Sequence, residues 1–312
     1  MAIQQPSEPD AAELKRERIT RPGASTRTRV ITYEGGEVRQ RSDAVATEEP
    51  LEIRLHHSGD DYISSVTMRT PGNDFELATG WLLAEGIVRG PDDVTRIAYC
   101  VDRSVGEEQR YNIVNVHLRP DARRDFASIE RDFFTTSACG VCGKAGLDQL
   151  ATKASRVESE LTVQSEIICS LPGRLRAAQG VFERTGGLHA AGLFGSSGEL
   201  LGLREDVGRH NALDKLLGWA LLERKLPLSD CIVLVSGRAS FELAQKSVVA
   251  GVPVMCAVSA PSSLAIEVAN DFNMTLVGFL RDERFNVYAG AERIQPGEGL
   301  TRGETQNQEN RT

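Results

Sequence analysis

The chain has 312 residues, 40% of them hydrophobic and 26% charged, which is ordinary for a globular protein large enough to bury a core without staples. Its formal net charge of -8 excludes a broadly basic nucleic-acid-binding surface, though a local basic pocket for a phosphorylated ligand stays open. No apolar run reaches the ~18 residues of a membrane span, and the N-terminal stretch MAIQQPSEPDAAELKRERITRPG has no apolar secretory core, so a cytoplasmic protein is expected.

Residues 1–28 are polar and carry Pro6, Pro9 and Pro22, which reads as a flexible tail. An N-terminal α+β part follows over 29–135. LEIRLHH alternates Leu51, Ile53 and Leu55 with polar residues, as a half-buried strand does, and DYISSVTMRT continues as a second strand. TPGNDFELATGWLLAEG predicts a helix with Asn73 as its cap, Glu76 three residues on and Gly86 as its stop. YNIVNVHL is another alternating strand, and His56 and His57 read as exposed strand residues. Residues 136–165 form a cysteine-bearing loop and a linker helix over KAGLDQLATKA.

The segment 166–294 reads as a C-terminal α/β part. GGLHAAGLF and ELLGLRED predict a hairpin around GSSG. RHNALDKLLGWALLERK is a periodic helix, with Leu213, Leu216, Leu217, Ala220 and Leu221 on one face. Then CIVLVSG, VPVMCAVSA and MTLVGFL alternate as strands with the helices ASFELAQKSVVAG and SSLAIEVANDF, and FNVYAG closes as a short strand. Strands alternating with helices imply a parallel sheet. Residues 295–312 read as a second flexible tail. The fold class expected is α/β, with a smaller N-terminal α+β part.

In open α/β sheets ligands bind beyond the carboxyl ends of the strands. Those ends read Ser236-Gly237-Arg238, Ser259-Ala260-Pro261-Ser262-Ser263 and Leu280-Arg281. Helix N-termini offer free N–H donors there, and arginine adds bidentate phosphate contacts, so a nucleotide-like ligand is a fair reading beside plain helix caps. No complete G-x-G-x-x-G or Walker A loop is present.

Of the six cysteines, only Cys139 and Cys142, in FFTTSACGVCGKAG, have chemical spacing, and Cys231 and Cys256 read as core residues in apolar runs. No second C-x-x-C completes a structural zinc site; His189, His210 and the lone cysteines stay open as completing ligands, though nothing in their spacing points to one. A zinc deaminase needs H-x-E and P-C-x-x-C, and here Ala138 precedes Cys139 and no His is followed two residues on by Glu. A thioredoxin-like pair at a helix N-terminus, helped by Lys144, remains open. So do a sulfur carrier holding Cys–S–SH on an accessible glycine-flanked loop and a tight turn with incidental thiols. His189, the polar run Glu205 to Lys215 with Arg209 and His210, and the group Arg238, Ser240, Glu242 and Lys246 read either as a site wall or as a core histidine and solvated helix starts.

FTTSACGVCGKA, GGLHAAGLF, REDVGRHNALDK, SGRASFEL, VSAPSSLA and TLVGFLR…FNVY, in this order, resemble the formate dehydrogenase accessory sulfurtransferase family, FdhD, over about residues 29–294. The resemblance implies a cytidine-deaminase-like α/β domain, usually dimeric. It implies sulfur transfer from a cysteine desulfurase to the molybdenum (or tungsten) bis-guanine-dinucleotide cofactor of formate dehydrogenase, as bound cargo and with no dedicated protein-bound metal. Cys139 is the implied persulfide carrier and Cys142 its assistant. The implied cofactor contacts are Phe279, Leu280, Arg281, Asp282, Glu283 and Arg284, with Arg238 and Ser259 beside them. Near the acids Asp282 and Glu283, contacts to phosphate are expected from backbone N–H groups. The rival reading is a cofactor-binding chaperone that transfers no sulfur.

Overall fold

The computed structural model describes residues 22–56, 62–102, 104–120, 150 and 154–297. Cys139 and Cys142 lie outside the described residues, as do His57 and nearly all of the linker helix expected after the cysteine pair.

The chain opens with a two-stranded antiparallel ribbon, β1 (Ser25–Glu34) and β2 (Glu37–Ala46). β1 thus begins inside the span assigned to the tail. A second sheet has the order β4-β3-β6-β5, from β3 (Glu49–His56), β4 (Tyr62–Arg69), β5 (Val94–Tyr99) and β6 (Ile113–Leu118). Between β4 and β5 runs helix α1 (Asp74–Ala84). Its start differs from the expected capping box. Asn73 takes a left-handed φ of 57° and makes no side-chain cap bond, because Asp74 does the tying: its carboxylate accepts from the Gly72 N–H, Arg69 Nε and the Tyr99 hydroxyl. Glu76 pairs instead with Arg204, 2.8 Å from Nη2. Gly86 stops the helix as expected, with φ 70° and its N–H on the Leu83 carbonyl.

After the short β7 (Val163–Gln164) comes α2 (Ser165–Ala178), a helix the sequence reading missed because Pro172 sits inside it. The turn-length α3 (Gly180–Thr185) leads to the hairpin β8 (His189–Gly195) and β9 (Leu200–Asp206), closed around GSSG as expected. Then follow α4 (Arg209–Leu222), β10 (Cys231–Val235), α5 (Phe241–Val249), β11 (Val254–Ala257), α6 (Ser263–Asp271), β12 (Thr275–Arg281) and β13 (Arg284–Ala289). β14 (Ile294–Gln295) pairs with β7.

The large sheet has the order β13-β12-β11-β10-β8-β9. β10, β11 and β12 pair in parallel; β8 pairs antiparallel with both β10 and β9, and β13 pairs antiparallel with β12, the β8–β9 and β12–β13 pairs being tight hairpins at the two edges. Alternate residues of these strands face two cores. Val233, Val235, Met255 and Leu276 pack with α1, α4, α5, α6 and the β3 face of the smaller sheet. Ile232, Leu234, Val254 and Val277 pack with Ile168, Leu171 and Leu175 of α2. The layers are therefore helix, sheet, helices, sheet, with both faces of the large sheet covered.

Candidate functional site at the strand ends

β10, β11 and β12 end on one side of the large sheet, and their exits are stitched into one rim. Ser259 N donates to Gly237 O at 3.3 Å, Ser262 N to Ala239 O at 2.9 Å and Phe279 N to Ser259 O at 3.2 Å. Because β8 runs opposite to β10, and β9 opposite to β8, the first residue of β8 and the last of β9 join the same rim. His189 and Asp206 are cross-strand partners there, and Ser236 exchanges bonds with Ala190 across the β8–β10 junction. Helices α5 and α6 start at this rim, capped by Ser240 and Ser262, whose hydroxyls accept from Leu243 N and Ala265 N. α4 starts beside them from Gly208, with no side-chain cap.

The Phe279–Arg284 stretch forms the outer corner of the rim. One extra residue stands on β12 between the pairs Gly278–Asn286 and Arg281–Arg284, a bulge that re-aims the strand end. Phe279 carries the irregular backbone, with φ 51°, and Asp282 turns the hairpin with φ 49°. A bulky residue held at positive φ stores strain of the kind that clusters at ligand sites. Gly278 makes the corner possible: a Cβ there would stand 2.9 Å from Pro261 Cδ and 3.0 Å from the Tyr288 ring. The side chains of Phe279, Arg281, Asp282, Glu283 and Arg284 are exposed, and Arg238 is exposed on the neighbouring exit. Ser259 is half-buried and contributes its backbone to the stitching. Leu280 is different. It is fully buried against the α2 side of the sheet, so among the implied contacts it offers a ligand only its backbone.

Three rim residues were flagged in the sequence only as ambiguous polar groups. His189 is half-buried, its ring 3.6 Å from where a Gly237 Cβ would stand, and Arg209 Cδ lies 3.5 Å from the same point. Burial holds His189 below the usual histidine range; Arg209 adds to this and Asp206 opposes it. The buried Nε of Arg209 has no hydrogen-bond partner among the described residues. His210 Nε2 stands 3.2 Å from both Ser240 Oγ and Glu242 Oε2. Serine and carboxylate share one ring nitrogen, so this is not the relay of a serine hydrolase, which needs them on opposite nitrogens.

Beneath the rim, charged pairs fix α4. Lys215 Nζ stands 2.6 Å from Asp206 Oδ2 and donates to Thr70 O at 2.8 Å. Asp206 also receives Gly208 N and Asn211 Nδ2, which ties the β9–α4 turn. Lys246 of α5 grips both oxygens of Asp214 at 2.8 and 3.0 Å, and that carboxylate holds the lysine charged. Lys215, Lys246 and Asp214 are therefore buried in ion pairs.

Burial pushes His210 down to about 4, against the pull of Glu242 and with Arg209, Lys246 and His189 pushing the same way. Its folded-state value lies below the unfolded ~6.5. The unfolded chain therefore binds this proton more readily, and stability is lost as pH falls from about 6.5 through about 4. His210→Gln should shrink that loss by about 1–2 kcal/mol, discounted for partial exposure. Urea unfolding at pH 7 and pH 4.5 measures it.

Elsewhere, His56 is half-buried and not exposed. Its Nε2 lies 2.9 Å from Asn115 Oδ1, and its ring stacks on His117 with centroids 4.5 Å apart. Among the described cysteines, Cys256 is a core residue as expected, and burial pushes its thiol up. Burial also raises Cys231, aided by Asp230, and Cys169, aided by Glu166 and Glu283. Cys100 is buried.

Fold and rim together define a mixed α/β protein with an arginine-bearing strand-end site. The chain belongs to the FdhD/NarQ family, which it matches over residues 46–295. It is 52% identical over 271 residues to the sulfur carrier protein FdhD of Streptomyces coelicolor, covering 86% of this chain and 95% of that protein. It is 44% identical over 252 residues to the protein of the same name from Sulfurisphaera tokodaii, covering 81% and 92%. Among solved structures, a formate dehydrogenase accessory protein from Desulfotalea psychrophila superposes with a TM-score of 0.67 at 25% identity, over 87% of this chain and all of that one. Among the described residues, no helix is long and apolar enough to cross a membrane.

Proposed function

We propose that this protein carries sulfur for the activation of a formate dehydrogenase, as the names of its relatives suggest for them. The observation that carries the ligand half of this reading is the stitched rim: three parallel strand ends, two serine-capped helix starts and exposed Arg238, Arg281 and Arg284 on one edge. Such an edge suits phosphates of guanine-nucleotide arms. The cargo is the molybdenum (or tungsten) bis-guanine-dinucleotide cofactor. Leu280 and the turn at Asp282 and Glu283 meet it through backbone N–H groups.

The sulfur half rests on Cys139 and Cys142. The described thiols at 169, 231 and 256 are all held toward the neutral form by burial, which disfavours them as nucleophiles. The Cys139 thiolate attacks the outer sulfur of a cysteine desulfurase persulfide. A new S–S bond forms on Cys139, and the desulfurase leaves as a thiolate. Attack of the Cys142 thiolate on the Cys139 sulfur then releases sulfide to the metal centre and leaves a Cys139–Cys142 disulfide, which a cellular thiol reduces. In this reading the protein is a cytoplasmic homodimer, with a cytidine-deaminase-like larger domain.

The test is to incubate the reduced protein with a cysteine desulfurase and cysteine and to map both peptides by mass. One added sulfur on Cys139, removed by reductant, is the expected result. Absence of added sulfur on either cysteine, with guanosine diphosphate still bound, would replace the carrier by a cofactor-binding chaperone.

A further inference from the structure

Arg209 is the odd arginine of the rim. Arg238, Arg281 and Arg284 stand in solvent, where water satisfies a guanidinium. Arg209 is half-buried as the first residue of α4, its Nε is sealed from solvent, and among the described residues neither a hydrogen bond nor an ion pair reaches its guanidinium. A charged group with a buried, unpartnered donor is costly unless an anion completes it. The two acids at this corner are already engaged: Asp206 is tied to Lys215 and to the β9–α4 turn, and Glu242 faces His210. Gly237 points to the same place. Its φ is not left-handed, and a Cβ there would meet Arg209 Cδ at 3.5 Å and the His189 ring at 3.6 Å, ordinary contact distances. Neither backbone conformation nor packing among the described residues asks for glycine here. A bare Cα beside an unpaired guanidinium lets a ligand approach the backbone closely.

The other end of the rim has different chemistry. β8 and β12 are three strand spacings apart, roughly 14 Å, within reach of one extended nucleoside diphosphate. There Phe279 presents an exposed ring, and Asp282 and Glu283 present exposed carboxylates. Carboxylates repel phosphate, but they accept hydrogen bonds from the N1–H and the 2-amino group of guanine. An exposed aromatic ring is a stacking surface for a base.

We infer that a guanine nucleotide lies lengthwise along the rim, its diphosphate on Arg209 beside Gly237 and its base on Phe279. The inference rests on the guanine-nucleotide half of the proposed function, not on its sulfur chemistry, and gives that nucleotide a direction. Laid the other way, the nucleotide would set its phosphates against Asp282 and Glu283 and leave the Arg209 charge unpaired. In this direction a phosphate oxygen completes the guanidinium with a charge-assisted bond, and the start of α4, which has no side-chain cap, stands beside it. The His189 ring, which burial holds below the usual histidine range, adds a neutral N–H. Arg238 on the adjoining exit adds a second positive charge.

Titration calorimetry of the full chain with guanosine, guanosine diphosphate and inorganic pyrophosphate tests it. Arg209→Gln should weaken guanosine diphosphate about 10–100-fold, the loss of one charged hydrogen-bond partner, and leave guanosine unchanged. Phe279→Ala should weaken guanosine and guanosine diphosphate by the same factor, about tenfold, and leave pyrophosphate unchanged. An Arg209→Gln protein that keeps the wild-type ratio of the two affinities overturns the inference while the rim remains a nucleotide site. A wild type that binds neither guanosine nor its diphosphate removes the nucleotide reading and the inference together. Should Arg209→Gln fail to fold, Gly237→Ala decides. Its methyl meets only ordinary contacts, so it should melt with the wild type, weaken the diphosphate and spare guanosine. Undiminished affinity for guanosine diphosphate in that variant rejects the diphosphate position.

Discussion

A Cys139→Ala protein is expected to bind guanosine diphosphate as tightly as the wild type and yet leave formate dehydrogenase at background activity. Binding is assigned to the rim, whose backbone stitching and exposed arginines do not include the cysteine. Sulfur loading is assigned to a thiolate, and an unperturbed thiol is only a few per cent ionised at neutral pH. The thiols of Cys169, Cys231 and Cys256 fall further, since burial pushes each of them up. None of them is placed to substitute. Cys142→Ala should behave differently: Cys139 still gains sulfur, and its release slows. Measuring nucleotide affinity, persulfide content and client activity on both variants separates loading from release. Full client activation by Cys139→Ala would leave a chaperone that moves the cofactor without touching its sulfur.

The parts of the fold that were legible in the sequence are those where burial imposes a period. CIVLVSG and VPVMCAVSA lie in the middle of the large sheet with both faces covered, and they read as continuous apolar strands. Their strand exits, rich in serine, glycine and arginine, pointed to the rim. The ribbon β1–β2 left no such trace, because both of its faces are largely exposed and Thr-Arg-Thr-Arg carries no apolar alternation. Helix α2 was hidden by Pro172. The antiparallel pairings β8–β9 and β12–β13 depend on turn geometry, which a helix–strand alternation rule ignores.

At the site itself, sequence gave the neighbourhood but not the orientation. Phe279 and Leu280 are adjacent letters, and only the bulge decides that the first is exposed while the second is buried. Similarly, His189 and Arg209 stand 20 positions apart in the chain. They meet over Gly237 because β8 starts where β10 ends. A pattern confined to one segment cannot carry that information.

What keeps the rim in place is the crossing of α1 with α4, and Gly218→Ala should damage it more than any surface change. At this crossing the two backbones touch. A Cβ on Gly218 would lie 1.8 Å from the Glu76 carbonyl oxygen and 2.7 Å from Gly80 N. A Cβ on Gly80 would lie 1.8 Å from the Asp214 carbonyl oxygen. These obstacles are backbone atoms, so no side-chain rotation relieves them, and the helices must separate. Separation strips contacts from Leu77, Leu213 and Leu217 and shifts Asp214 against Lys246. The intrinsic helix preference of alanine, ~1 kcal/mol, is too small to offset this. A net loss of about 3 kcal/mol or more is expected, since overpacking a tight core costs 1–3 kcal/mol and here a buried pair moves as well. That corresponds to a fall in Tm of roughly 6–12 °C. Gly173→Ala in α2 is the control, because a Cβ there meets nothing within 4 Å. It should be neutral or slightly stabilising. Equal melting of Gly218→Ala and Gly173→Ala would mean that the helices part freely, and the rim would then owe its position to the sheet alone.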